Sequence, residues 1–138
     1  MLLEIKKLSN EHFMQLVSLN FDMYKSFDAS INEVGATATL LHDINDFTDY
    51  TAFGLFNKDK LVGFVSGYCF TKKRFHFSSL YVKIKNNKNL IKLINHALKY
   101  VEEQGYTSWS ADTSNSNMAS ILSKLGARVK YSHYVKEF

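Results

Sequence analysis

Between Phe75 and Ala127 the residue pattern switches from strand to helix and back, and this alternation limits the fold more than any other feature. Phe75-His-Phe-Ser-Ser-Leu-Tyr-Val82 is rich in β-formers. Leu90, Leu93, Ile94, Ala97, Leu98 and Val101 then recur at helical spacing on one face, and Gly105 stands where a helix C-cap belongs. Tyr106 to Ala111 reads as a second strand. Met118, Ile121, Leu122 and Leu125 resume the helical period, and Gly126 ends it. A strand–helix–strand crossover of this length predicts two parallel, adjacent strands. In open α/β sheets ligands bind at the carboxyl ends of such strands, beside helix N-termini. The basic loop Lys83–Lys88 is therefore the first place to look for an anion.

Composition narrows the class. A chain of 138 residues with 46% hydrophobic content is expected to be one globular domain, 1–138. No apolar run approaches the ~18 residues of a membrane-spanning helix, and the N-terminus lacks the long apolar region of a signal peptide. The single cysteine, Cys69, rules out an intramolecular disulfide and fits a reducing compartment, so a cytoplasmic location is expected. A net charge of +4 is too mild to argue for nucleic-acid binding. His12, His42, His96 and His133 are scattered, with no metal-ligand spacing. The chain has no proline.

The remaining elements follow from the same rules. Leu2–Leu8 is a first strand. Ser9 or Asn10 can cap a helix whose buried stripe is Phe13, Leu16, Val17, Phe21 and Tyr24. A second helix covers Asn32–Asp46, with Val34, Leu41 and Ile44 inward. Thr51–Phe56 and Leu61–Phe70 flank a hairpin turn at Asn57–Lys60, and the turn Thr71–Arg74 leads into Phe75–Val82. A last strand lies near Arg128–Lys136. The expected order is β-α-α-β-β-β-α-β-α-β.

Several residues carry chemistry in this frame, and each also has a plain structural use. His76 can act as a base near neutral pH or be a partly buried strand histidine. Its strand phase groups it with Ser78, Leu80 and Val82, and sets Tyr81 on the opposite face. Lys83, Lys85 and Lys88 surround a helix start, where an anion is favoured, and also suit a solvated turn. Asn115 and Asn117 open the last helix, where asparagine caps free N–H groups. Tyr81, Tyr131 and Tyr134 can donate protons or simply pack. Thr71-Lys-Lys-Arg74 reads as a solvated basic turn, and Cys69 as an inert thiol.

The element order, together with two short motifs, resembles the GNAT (GCN5-related N-acetyltransferase) superfamily. One motif is Leu80-Tyr-Val82 followed by a loop and a long helix, similar to the acetyl-CoA segment of that family. The other is Asn115-x-x-Met118-x-x-x-Leu122-x-Lys124-Leu-Gly126-Ala127, similar to the family's Asn-x-x-Ala-x-x-x-Tyr-x-Lys-Leu-Gly-Phe ending. The resemblance implies a twisted mixed α/β sheet of about six strands with helices on both faces. It implies acyl transfer from acetyl-CoA to an amine, small-molecule or protein. The acyl-pantetheine arm would lie where the fourth and fifth strands splay apart. His76 falls near the glutamate base of some relatives, and Tyr81 is the nearest substitute for an acid. Tyr81 and Val82 would supply backbone N–H groups to the thioester. Lys85, Lys88, Asn89 and Asn115 would contact the cofactor.

Two positions depart from the family pattern. Its glycine-rich pyrophosphate loop is here Asn86-Asn-Lys-Asn-Leu-Ile91, without glycine, and its tyrosine acid falls at Leu122. Small GNAT-like internal virion proteins of short-tailed phages share these departures, together with a tryptophan in the fifth strand (here Trp109). The alternative implied is a non-catalytic structural or interaction protein, a virion component that assembles with itself or with other proteins.

Overall fold

The computed structural model describes residues 3–83, 86–113, 116–129 and 136. Five strands form one sheet in the order β1 (Leu3–Lys7), β2 (Thr51–Asn57), β3 (Lys60–Thr71), β4 (Arg74–Val82) and β5 (Ser108–Ala111). The first four pair antiparallel, joined at β2–β3 and β3–β4 by the two turns expected from the sequence. β5 joins β4 in parallel, with Arg74 opposite Ser108 and Phe77 opposite Ala111. The crossover between them is α3 (Asn87–Glu103). The mixed α/β fold is thus as expected, with five strands among the described residues. The last expected strand, Arg128–Lys136, falls mostly on residues outside those described.

Helices cover both faces. α1 (Phe13–Phe27) and α2 (Glu33–Asp46) lie on one, where Leu16, Leu19, Met23 and Leu40 pack with Phe56, Leu61 and Phe64. On the other, Leu93 and Ala97 of α3 pack with Phe53, Leu55, Val62, Val65 and Val82. The α3 stripe is the expected one: Leu93, Ile94, Ala97 and Val101 are buried, and Leu90 and Leu98 half-buried. In α4 (Ser116–Lys124) Ile121 is buried, while Met118 and Leu122 are half-buried. Gly105 and Gly126 both take a φ of 92° just past a helix end, where the following N–H groups reach back to the Val101 and Leu122 carbonyls.

The inward face of α2 differs from the expectation. Val34 is 80% exposed and Leu41 40%, whereas Ala36 and Leu40 are buried and Ile44 packs against the core. The spacing of Val34, Ala36, Leu40, Leu41 and Ile44 allows more than one apolar stripe. The buried Asn20 side chain selects among them by donating to the Ala36 carbonyl at 3.0 Å, which holds that part of α2 against α1.

One irregularity governs the site. Ser79 pairs with Ser66 and Phe77 with Gly67, so Ser78 is an extra residue in β4. The bulge reverses the phase of the strand. Phe77 packs on the α3 face, as do Leu80 and Val82, while Tyr81 packs on the α1 face. Gly67 fits this bend because any Cβ there would overlap the His76 carbonyl oxygen and the Phe75 ring. Gly67→Ala is expected to destabilise by about 1–3 kcal/mol, since neither obstacle can swing away. Urea denaturation measures it, and a loss below about 0.5 kcal/mol would refute the tight packing.

Candidate active site

β4 and β5 stay paired only from Arg74/Ser108 to Phe77/Ala111. β4 then runs on to Val82 with β3 as its sole strand partner among the described residues. β5 ends at Ala111, opposite Phe77, so among the described residues no strand pairs with the β5 side of Ser78–Val82, which is called the notch below.

The backbone of β4 presents donors to this notch. The Lys83 N–H donates to the Val62 carbonyl on β3 at 2.8 Å. N–H directions alternate along a strand, so the Tyr81 N–H also turns toward β3, and those of Leu80 and Val82 turn toward the notch. This corrects the expectation in part. The Val82 N–H faces away from β3, as does that of Leu80, absent from the sequence reading, whereas the Tyr81 N–H is turned to β3.

His76 stands one residue before the β4–β5 pairing ends. Its Nδ1 is hydrogen-bonded to the Ser110 hydroxyl at 2.8 Å, and its Nε2 lies 3.6 Å from an Asp112 carboxylate oxygen. The rings of Tyr68 and Phe70 flank it, with centroids 5.5 and 6.1 Å away. Burial pushes the imidazole below its ordinary value, and Asp112 offsets part of that shift. His76 is thereby kept neutral, a base, at neutral pH. Sequence reading missed Ser110 and Asp112. The only signal for Ser110 was its strand phase, opposite to Trp109, and its partner lies 34 residues away.

Because of the bulge, His76 and Tyr81 share the α1 face of the sheet, not opposite faces as period-two alternation predicts. Burial and the Asp22 carboxylate raise the Tyr81 hydroxyl, so it stays protonated. Lys83 reaches Asp22 at 3.8 Å.

The start of α3 follows the loop after Val82. Asn86 caps it, its side-chain oxygen accepting the Lys88 N–H at 2.8 Å. One of the free first-turn donors is thus already used. The Lys88 side chain is exposed and Asn89 half-buried. Asn117 of α4 donates to the Asn87 side chain at 3.1 Å, tying the two helix starts together. A cleft of about 110 Å³ lies between these helices, lined by Asn87, Ile91, Asn117, Ser120, Ile121, Lys124 and Leu125. Lys85, Asn115, Tyr131 and Tyr134 lie outside the described residues. Among those described, no three His, Cys, Asp or Glu side chains gather to hold a metal ion, and no helix is long and apolar enough to cross a membrane.

No protein-family model matches the sequence, and no curated protein does. Solved structures do match. The PaiA N-acetyltransferase from Thermoplasma acidophilum in complex with coenzyme A superposes with a TM-score of 0.72 at 20% identity, over 96% of this chain and 94% of that one. An aminoglycoside N-acetyltransferase in complex with CoA gives 0.72 at 14% identity, over 99% and 95%. The ribosomal-protein-alanine N-acetyltransferase from Brucella melitensis gives 0.71 at 18% identity, over 99% and 100%. The chain has the fold of these acetyltransferases, the GNAT fold that its element order resembles.

Proposed function

We propose that the protein is an acyl-CoA-dependent N-acyltransferase that carries an acyl group, acetyl in the simplest case, to a primary amine. The observation that carries this reading is the end of the β4–β5 pairing at Phe77 and Ala111, with the Leu80 and Val82 N–H groups turned away from β3 beyond it and a neutral His76 beside its last pair. Two of the similar structures hold CoA, one of them an aminoglycoside N-acetyltransferase, and the third is a ribosomal-protein-alanine N-acetyltransferase, which supports the donor class and leaves the acceptor as a small-molecule or protein amine.

In this reading the Leu80 and Val82 N–H groups stabilise charge growing on the carbonyl oxygen during amine attack. His76 removes the amine proton. Tyr81, held protonated, is the donor to the departing thiolate. Lys88 and Asn89, at the start of α3, are the contacts for the phosphates and the pantetheine arm, and Lys85 and Asn115, outside the described residues, are assigned the same role by the family resemblance alone.

The glycine-free stretch Asn86–Asn89 weakens the donor site. Its side chains obstruct backbone approach to a pyrophosphate, and Asn86 already occupies one N–H. Exposed lysine contacts and the helix dipole return only about 0.3–1 kcal/mol each. Titration of the purified protein with acetyl-CoA by calorimetry is therefore expected to give a millimolar dissociation constant, about 4 kcal/mol of binding, that weakens further with salt. A low-micromolar, salt-insensitive constant would refute the weakened loop. Absence of binding at several millimolar would sink the transferase.

The second reading is a non-catalytic protein of the same fold with a structural role, in a virion or in a homo-oligomer. Its supporting observation is the pair of replacements that remove chemistry and keep packing: no glycine at the start of α3, and a half-buried Leu122 where the family resemblance puts a tyrosine acid.

A further inference from the structure

His76, Ser110 and Asp112 form an arrangement that direct transfer to an amine does not need. The Ser110 hydroxyl meets an imidazole nitrogen at 2.8 Å, within the range in which a base activates a nucleophile. The other nitrogen faces a carboxylate at 3.6 Å, an electrostatic distance. Asp112 favours the tautomer with hydrogen on Nε2, which leaves the Nδ1 lone pair to the Ser110 hydroxyl. The neighbouring cross-strand pair, Arg74 Nε to Ser108 Oγ at 3.1 Å, has no base: the guanidinium only donates, and the Ser108 hydroxyl donates in turn to the Lys73 carbonyl at 3.3 Å, as in a purely structural polar rung. The His76 rung differs in pairing its hydroxyl with a base that faces a carboxylate, in lying next to the last paired positions of β4 and β5, and in its aromatic flank. Phe70, 62% exposed, gives a short acyl or aryl group an apolar surface beside it.

We infer that Ser110 is a nucleophile, activated by His76 and oriented through Asp112, and that the protein hydrolyses activated esters and thioesters of short acyl groups through an acyl-serine. Ser110 Oγ bonds to the acyl carbon as its proton passes to His76 Nδ1. The ester C–O or thioester C–S bond breaks, and Nδ1 returns the proton to the leaving alcohol or thiol. Water then attacks the acyl-serine, giving its proton to Nδ1. The Oγ–C bond breaks, Ser110 recovers its proton, and a carboxylic acid is released. No oxidant or reductant takes part. The inference rests on His76 as a base, as the transferase reading does, and needs no CoA site.

p-Nitrophenyl acetate supplies the test, because it reaches the serine without any contact to the α3 loop. The whole protein should release nitrophenolate with an initial burst, and mass spectrometry should find one acetyl group on Ser110. Ser110→Ala should lower the rate by about 10²-fold or more and abolish the burst, with the thermal transition retained. Ser110→Cys should keep the burst and move the acetyl group to sulfur. A Ser110→Ala variant as fast as the parent, or acetyl groups mapped only to lysines or to His76, would overturn the inference. Ester turnover alongside a failure to bind acetyl-CoA would sink the transferase and leave Ser110 standing. Acetyl-CoA binding with no acetyl-serine from either substrate would do the reverse.

Discussion

Leu93→Ala is expected to cost about 2–5 kcal/mol of stability, enough to shift the urea midpoint of a domain this size by a large fraction. Leu93 is fully buried, packed with Phe53, Leu55, Val62, Val65 and Val82 in the core that α3 and the sheet share. Those partners sit on three central strands, so the void cannot close by moving one side chain. α3 also carries the start of the notch, with Asn86 and Asn87 at its first turn, and a loosened helix would move that turn relative to Val82. Lys99, on the exposed face of the same helix, provides the control: Lys99→Ala should stay within about 0.5 kcal/mol of the parent. Equal losses in both variants would show that α3 does not dock through the Leu93 face.

Much of this architecture is readable from periodicity, because the burial that fixes it is local. α3 is amphipathic enough that four of its six stripe residues are buried and the other two half-buried. The hairpin at Asn57–Lys60 and the glycines ending α3 and α4 act within a few residues. α2 was harder, since Val34, Ala36, Leu40, Leu41 and Ile44 allow more than one stripe. The choice came from Asn20, sixteen residues before Ala36.

The site was harder still. Alternation carried unbroken through β4 puts His76 in phase with Leu80 and Val82, whereas the bulge at Ser78 puts it in phase with Tyr81. A trace of the bulge is present in the residues: the apolar positions jump from Phe75 and Phe77 to Leu80 and Val82 across two serines. The Ser110–His76 bond has no such trace. It depends on the register of a parallel pair closed by a seventeen-residue helix, which no local rule sets. The same register decides where the pairing ends, and so which N–H groups face the notch.

His76→Ala is expected to lower turnover of acyl donors by about 10²-fold or more while the fold is retained, because the variant has no group at this position able to take a proton. The loss should be the same whether the proton comes from an amine or through the Ser110 hydroxyl, since both lead to this imidazole. The pH dependence gives a sharper test. Below its folded-state pKa the imidazole is protonated and inactive, so activity rises with pH through that value. The value lies under the ordinary 6.5, because burial disfavours the cation more than Asp112 favours it. The acid limb of the rate profile should therefore fall below pH 6.5 in the parent. Asp112→Asn removes the favouring charge, so the pKa drops further and the limb moves to still lower pH, even as the rate falls from poorer orientation. Stability follows the same sign. The preference for neutral His76 contributes above about pH 6.5 and is lost as pH falls toward the folded-state value, where the unfolded chain binds the proton first. A His76→Ala variant of unchanged rate and profile would remove this residue from the chemistry. An acid limb that moves upward in Asp112→Asn would show that Asp112 acts on some other group.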